Sequence, residues 1–166
     1  FGIRGIRILV DGILETTPDG QAQVDNIDLG FIDRAEVFRG SSSALFGNAS
    51  GGMINLISEF PIQTSFYEAS VTGGQFGYQK IQVKSANSIK NFSYVIHASY
   101  NYNRGYRKHS TMKNYILNSK AQLEIDPLTR IRFHISVASS PIANDPGSLN
   151  IDQANDDPKQ ARDVNV

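Results

Sequence analysis

Residues 34–58 read RAEVFRGSSSALFGNASGGMINLIS, and this stretch decides the fold. Glu36, Val37 and Phe38 form a short β run, which Arg39-Gly40 interrupts with a residue free to take positive φ. Ser41, Ser42 and Ser43 can cap one helical turn through Ala44, Leu45 and Phe46, closed by Gly47 or Asn48 in the left-handed conformation. Gly51-Gly52 then demands a bend or a close backbone approach, and residues 53–57 are an apolar run suited to a buried strand. Chemical readings of these glycines fail on residue type. A phosphate-cradling loop ends in Gly-Lys-Ser/Thr, and no lysine stands between Phe1 and Gln79. A nucleophile elbow after Gly40 needs glycine at position 44, which is Ala44.

The same string closely resembles the end of the plug domain of TonB-dependent outer-membrane receptors. Arg34, Glu36, Val37, Arg39, Gly40, Ser43, Leu45, Gly47, Gly51, Gly52, Ile54 and Asn55 match the family's motif in order. Ser41 stands where the family has proline, Phe46 where it has tyrosine, Ser50 where it has alanine and Met53 where it has valine. Upstream, Ile8-Leu9-Val10-Asp11-Gly12 is similar to the family's hydrophobic strand ending in Val-Asp-Gly.

Composition limits the alternatives. The chain has 166 residues, a formal charge of +0 and no cysteine, so it carries no basic field for nucleic acid, no disulfide and no thiolate chemistry. No apolar run approaches the ~20 residues of a membrane-spanning helix, which leaves barrel strands as the route across a bilayer. Phe1 is not an initiator methionine and no signal peptide opens the chain, so a fragment is expected.

The pattern changes near Phe60-Pro61, which sets the expected domains at 1–60, the later part of a mixed α+β plug, and 61–166, the first five or so strands of an antiparallel transmembrane β-barrel. Five runs alternate with period two. Their apolar sides are Tyr67, Ala69, Val71; then Ile81, Val83; then Phe92, Tyr94, Ile96, Ala98, Tyr100, Tyr102; then Tyr115, Leu117, Ala121, Leu123, Ile125; then Ile131, Phe133, Ile135, Val137. Matching these faces across residues 127–129 pairs Asp126 with Arg130, Glu124 with Arg132 and Leu123 with Phe133. A loop at 87–90 likewise pairs Val83 with Tyr94 and Ile81 with Ile96. Connections at 73–78 and 103–112 fall at one end and the shorter 87–90 and 127–129 at the other, the asymmetry of outer-membrane barrels. Tyr100, Tyr102 and Tyr115 then gather near the long-loop end of the apolar face, where an interfacial girdle belongs. A soluble antiparallel sheet alternates in the same way, and it is the order, plug motif before strands, that favours the barrel.

The resemblance implies a closed barrel of about 22 strands, of which these residues hold an incomplete part. It further implies TonB-dependent uptake of a scarce nutrient, a ferric siderophore before cobalamin or a sugar. The partners it implies are a TonB-type energy-transducing protein, engaged through a segment outside these residues, the small-molecule cargo and outer-membrane lipid, at the outer membrane of a Gram-negative bacterium. No enzymatic activity, cofactor, metal or catalytic residue is expected: His97, His109 and His134 lack zinc-ligand spacing, and residues 25–33 lack the calcium-loop pattern. Within residues 12–26, Thr16, Thr17, Asp19, Gln21 and Gln23 surround a Pro18-Asp19-Gly20 turn. By resemblance this loop is a plug apex that meets cargo, with Phe1 and Arg4 beside it. Arg34, Glu36 and Arg39, on related faces of one short strand, are by resemblance a polar lock between plug and barrel, since buried guanidinium groups need carboxylate partners. Residues 140–166 are expected to be a long outer loop with a short helix near 151–155. The competing function is a secreted or surface β-rich binding or adhesion module without transport.

Overall fold

The computed structural model describes residues 5–15, 27–40, 51–60 and 64–162. The chain divides into two compact units, Phe1–Gln63 and Thr64–Val166. The described residues are mostly strand, with one α-helix and no closed barrel.

The first unit holds β1 (Ile6–Val10), β2 (Ile13–Leu14), β3 (Ile32–Arg39) and β4 (Gly52–Ser58), in sheet order β2-β1-β4-β3. β1 and β4 are parallel and central, and β3 runs antiparallel to β4. Ile8, Leu9 and Val10 are all buried, as an unbroken apolar run in an interior strand should be, and Met53 joins them. At the start of β4 the paired glycines are required by close approach. Gly52 has φ of +131°, and a Cβ there would stand 2.5 Å from the Phe38 carbonyl oxygen on β3. Gly51 donates its N–H to the Gly5 carbonyl at 2.8 Å. A 3-10 turn at Leu29–Phe31 leads into β3, capped by the Asp28 carboxylate, which accepts from the Gly30 N–H at 2.8 Å. The helical turn expected at 44–46 lies outside the described residues.

The second unit is an antiparallel meander, β5 (Phe66–Gly73), β6 (Gln79–Ile89), β7 (Phe92–Asn103), β8 (Met112–Asp126) and β9 (Thr129–Ala143), paired in chain order. The faces named from alternation are those observed, but two registers differ. In the first hairpin pairing continues to Ile89↔Phe92 around a turn at residues 90–91, with Lys90 at φ 54°, so Val83 pairs with Ala98 and Ile81 with Tyr100. The turn is tighter than expected because Asn91 is tied to the next hairpin: its side-chain amide donates to the Glu124 carbonyl, and its own carbonyl accepts from the Glu124 N–H.

In the second hairpin Asp126 pairs with Thr129, Glu124 with Arg130 and Leu123 with Ile131. The Asp126 carboxylate accepts from the Leu128 N–H at 2.9 Å and closes a two-residue turn, while a bulge at Ile125 absorbs the residue that a looser loop would have held. Glu124 consequently meets Arg130 at 3.2 Å, and Arg132 donates instead to the Gln122 side chain at 2.7 Å. Ser140 through Ala143 belong to β9 rather than to a loop. Their pairing reaches Met112↔Ala143, and a second bulge opposite Asn114 takes up Pro141, which lacks an N–H to give to a ladder. Beyond β9, α1 (Ile151–Asp156) carries a capping box between Asn150 and Gln153.

Candidate functional site

The second unit is inside-out by the standards of a soluble sheet. On one face the cross-strand rows are Ala69–Val83–Ala98–Leu117–Val137, Val71–Ile81–Tyr100–Tyr115–Ser139 and Ile89–Phe92–Leu123–Ile131. Much of this face is open: Val71 is 80% exposed, Phe133 59% and Ile135 56%. A shallow open depression of about 390 Å³ on it is lined by Tyr67, Ala69, Val83, Ile96 and Ala98. The opposite face holds the buried polar side chains Ser93, His97, Ser99, Asn114, Asn118 and Gln122. They are cross-linked: Gln82 Nε2 lies 3.3 Å from His97 Nε2, Ser136 donates to Asn118 at 2.8 Å, and Gln122 donates to Glu124 at 3.1 Å. A soluble sheet buries its apolar face against a core and wets the other. A lipid-facing wall around a polar lumen does the reverse.

At the long-loop end, residues 74–78, 104–111 and the segment after β9 form one cap. Arg107 holds it. Its Nε donates to the Gln160 carbonyl at 2.9 Å, and its two terminal nitrogens donate to the Gly147 and Pro146 carbonyls at 2.7 and 3.1 Å. One planar fork thus binds acceptors 39 to 53 residues away. The Lys108 N–H donates to the Lys159 carbonyl at 2.7 Å, and its ammonium stands 3.4 Å from Asp157. The Lys159 N–H, with Lys108 behind it, holds the Asp157 carboxyl below its ordinary pKa. Aromatic rings finish the cap: Phe76 meets Tyr106 edge-on at 5.4 Å, and the Lys159 ammonium lies 5.7 Å from the Tyr106 ring. Sequence reasoning did not single out these residues. The cationic and aromatic run at 104–109 was visible, but its partners lie in a distant segment.

In the first unit, the two motif pieces that resemble a plug meet in space. Asp11, at φ 53°, accepts from the Ser58 N–H at 3.0 Å and from its hydroxyl at 2.9 Å, and Gly12 donates to the Asn55 side chain at 3.2 Å. Asp11, Gly12 and Asn55 therefore staple β1 to β4. On β3, Arg34 lies 3.3 Å from Asp33 and 3.4 Å from Glu36, all substantially exposed. Arg34 and Glu36 share one face of the strand, while Arg39 lies on the other with Val37, so strand alternation separates the three charges. Phe1, Arg4, Thr16, Thr17, Asp19, Gln21 and Gln23 lie outside the described residues. Among the described residues, no group of three or more His, Asp or Glu side chains could hold a metal ion.

Residues 1–53 match the family described as TonB-dependent Receptor Plug Domain. Over 86 residues the chain is 33% identical to the vitamin B12 transporter BtuB of Vibrio cholerae, covering 51% of this chain and 14% of that protein. Over 57 residues it is 39% identical to the ferric aerobactin receptor of Klebsiella pneumoniae, covering 34% of this chain and 8% of that protein. The chain thus spans only a small part of these relatives. Among solved structures, the pyoverdine outer membrane receptor FpvA of Pseudomonas aeruginosa PAO1, bound to pyoverdine, superposes with a TM-score of 0.70 at 18% identity. That match covers 81% of this chain and 20% of the FpvA chain, and it is a likeness of fold.

Proposed function

Because the chain belongs to the TonB-dependent receptors, we propose that it serves active uptake of a scarce nutrient across the outer membrane of a Gram-negative bacterium. The observation that carries this reading is the inverted sheet, with Val71, Phe133 and Ile135 exposed and His97, Asn118 and Gln122 buried, in a chain whose first 53 residues match a plug. Residues 1–60 act as the later part of the plug and 61–166 as the first strands of a barrel of about 22, with outer-membrane lipid against the apolar face and the cap at 104–111 and 144–162 outside. A TonB-type energy-transducing protein drives the plug rearrangement that releases cargo inward, and the process involves no covalent chemistry. An adhesion module without transport has no support from relatives that are transporters and receptors.

The proposed cargo is a ferric siderophore, met first by Thr16, Thr17, Asp19, Gln21 and Gln23, with Phe1 and Arg4 adjacent. Arg34, Glu36 and Arg39 act as a polar lock that the energised plug breaks. A corrinoid is the second reading, favoured by the 33% identity to a vitamin B12 transporter. Growth of a deletion strain complemented by the full-length receptor tests both. Rescue under iron limitation on added ferric siderophores, dependent on the proton-motive force, supports the first reading. Rescue of cobalamin-dependent growth alone replaces it with the second. No rescue of either, with the receptor folded in the outer membrane, refutes both cargoes.

A further inference from the structure

On the apolar face of the five-stranded sheet Lys113 is the one cation among the described strand residues, and it stands at the long-loop end, away from the turn where Asp126 pairs with Thr129. The other strand cations, Lys80, Lys84, Lys120, Arg130 and Arg132, lie on the polar face by the same register. Lys113 sits in the row Gln79–Tyr102–Lys113–Ile142, directly beyond the row that pairs Tyr100 with Tyr115. Its ammonium lies 5.3 Å from the Tyr115 ring and 5.9 Å from the Tyr100 ring, whose centroids are 5.3 Å apart. Among the described residues it makes no ion pair with a carboxylate.

In a barrel wall a single cation at the end of an apolar face has a use. At the edge of the hydrocarbon, lysine stems cover apolar surface while the ammonium reaches the headgroups, and tyrosines hold the same level. One ammonium among three phenols, with no carboxylate to neutralise it, complements an anion that brings several acceptor oxygens. A phosphate monoester supplies three, with a charge close to two negative. We propose that Lys113, with Tyr100, Tyr102 and Tyr115, forms a site for the phosphate monoester of a membrane lipid in the leaflet that borders the long loops. The inference rests on reading the sheet as part of a lipid-facing wall.

The test uses the full-length receptor in nanodiscs of phosphatidylcholine doped with phosphatidic acid, with bound lipid counted by native mass spectrometry after release. Wild type should retain phosphatidic acid over phosphatidylcholine, and Lys113→Gln should lower that preference about fivefold, the scale of one basic residue at an anionic surface. Lys113→Arg should keep it, Tyr102→Phe should weaken it, and Lys80→Gln on the polar face should leave it unchanged. Inorganic phosphate should not displace the lipid, because it lacks the acyl chains that hold the headgroup at the rim. Heat-modifiable migration confirms that each variant is folded. An inserted wild type without preference, displacement by inorganic phosphate, or a folded Lys113→Gln that matches wild type overturns the lipid site while leaving the uptake reading intact. A full-length protein that does not insert into bilayers overturns both.

Discussion

Removing the Arg107 guanidinium should release the segment after β9 from the sheet without melting the strands. Arg107 makes three hydrogen bonds to backbone carbonyls at 2.7 to 3.1 Å, all partly buried. A hydrogen bond to a charged group contributes about 1.5–3 kcal/mol net. Water reaches the three carbonyls once the side chain is gone, and Pro146 keeps a second donor, the Arg162 N–H at 2.8 Å. A net loss of about 2–4 kcal/mol in local stability follows, or about thirty- to several-hundredfold in the opening equilibrium. Hydrogen exchange on the full-length receptor reads this directly. In Arg107→Ala, the Lys108, Gln160 and Arg162 amides, which donate to Lys159, Asp157 and Pro146, should lose protection by that factor. Amides of β7 should not change. Arg107→Lys should fall between, because a compact ammonium cannot span three carbonyls as a planar fork does. Unchanged exchange in Arg107→Ala would refute the latch and leave the tail to Lys108, Asp157 and the backbone bonds. Collapse of β7 and β8 protection would show instead that Arg107 supports the sheet.

Gly52→Ala should destabilise the first unit by more than the ~1–3 kcal/mol of backbone strain alone, because the new Cβ would stand 2.5 Å from the Phe38 oxygen at a φ of +131°; protease sensitivity of residues 5–60, with the barrel strands intact, measures it. Asp157 titrates below the aspartate reference of 3.8 in the folded cap, so its contribution is complete above that pH and is lost as pH falls through the lower folded value. Exchange of the amides in 144–162 should therefore be insensitive to Asp157 protonation from pH 7 down to about 4, once the intrinsic rate is divided out, and should rise only under stronger acid, a step that Asp157→Asn abolishes. Arg39→Gln should increase plug mobility and alter uptake if the proposed lock operates; a spin label on the plug with unchanged dynamics, together with unchanged uptake, would count against it.

The two halves of the first unit's motif were readable because they are local. Asp11-Gly12 at a strand end and Gly51-Gly52 before an apolar run announce a turn and a close approach by residue type alone, and both occur. That they hold each other, with Asp11 bound to Ser58 47 residues on, required the parallel pairing of β1 and β4. The cap was illegible for the same reason. Nothing near Arg107 in the chain indicates that its acceptors are the carbonyls of residues 146, 147 and 160, since a carbonyl has no sequence signature.

The strands divide most cleanly. Period-two alternation is a property of each strand by itself, so the sequence determined which side chains share a face. An error of two or four residues in pairing leaves that parity intact: Val83 opposite Ala98 rather than Tyr94, and Glu124 opposite Arg130 rather than Arg132, keep every face. Register belonged to the tertiary structure, because the Asp126-capped turn, the Ile125 bulge and the Asn91 bond to Glu124 each depend on neighbours in space. So did the sense of the sheet. Alternation alone is equally consistent with either face being buried, and the structure leaves the apolar face open while burying polar side chains of β7 and β8 on the other.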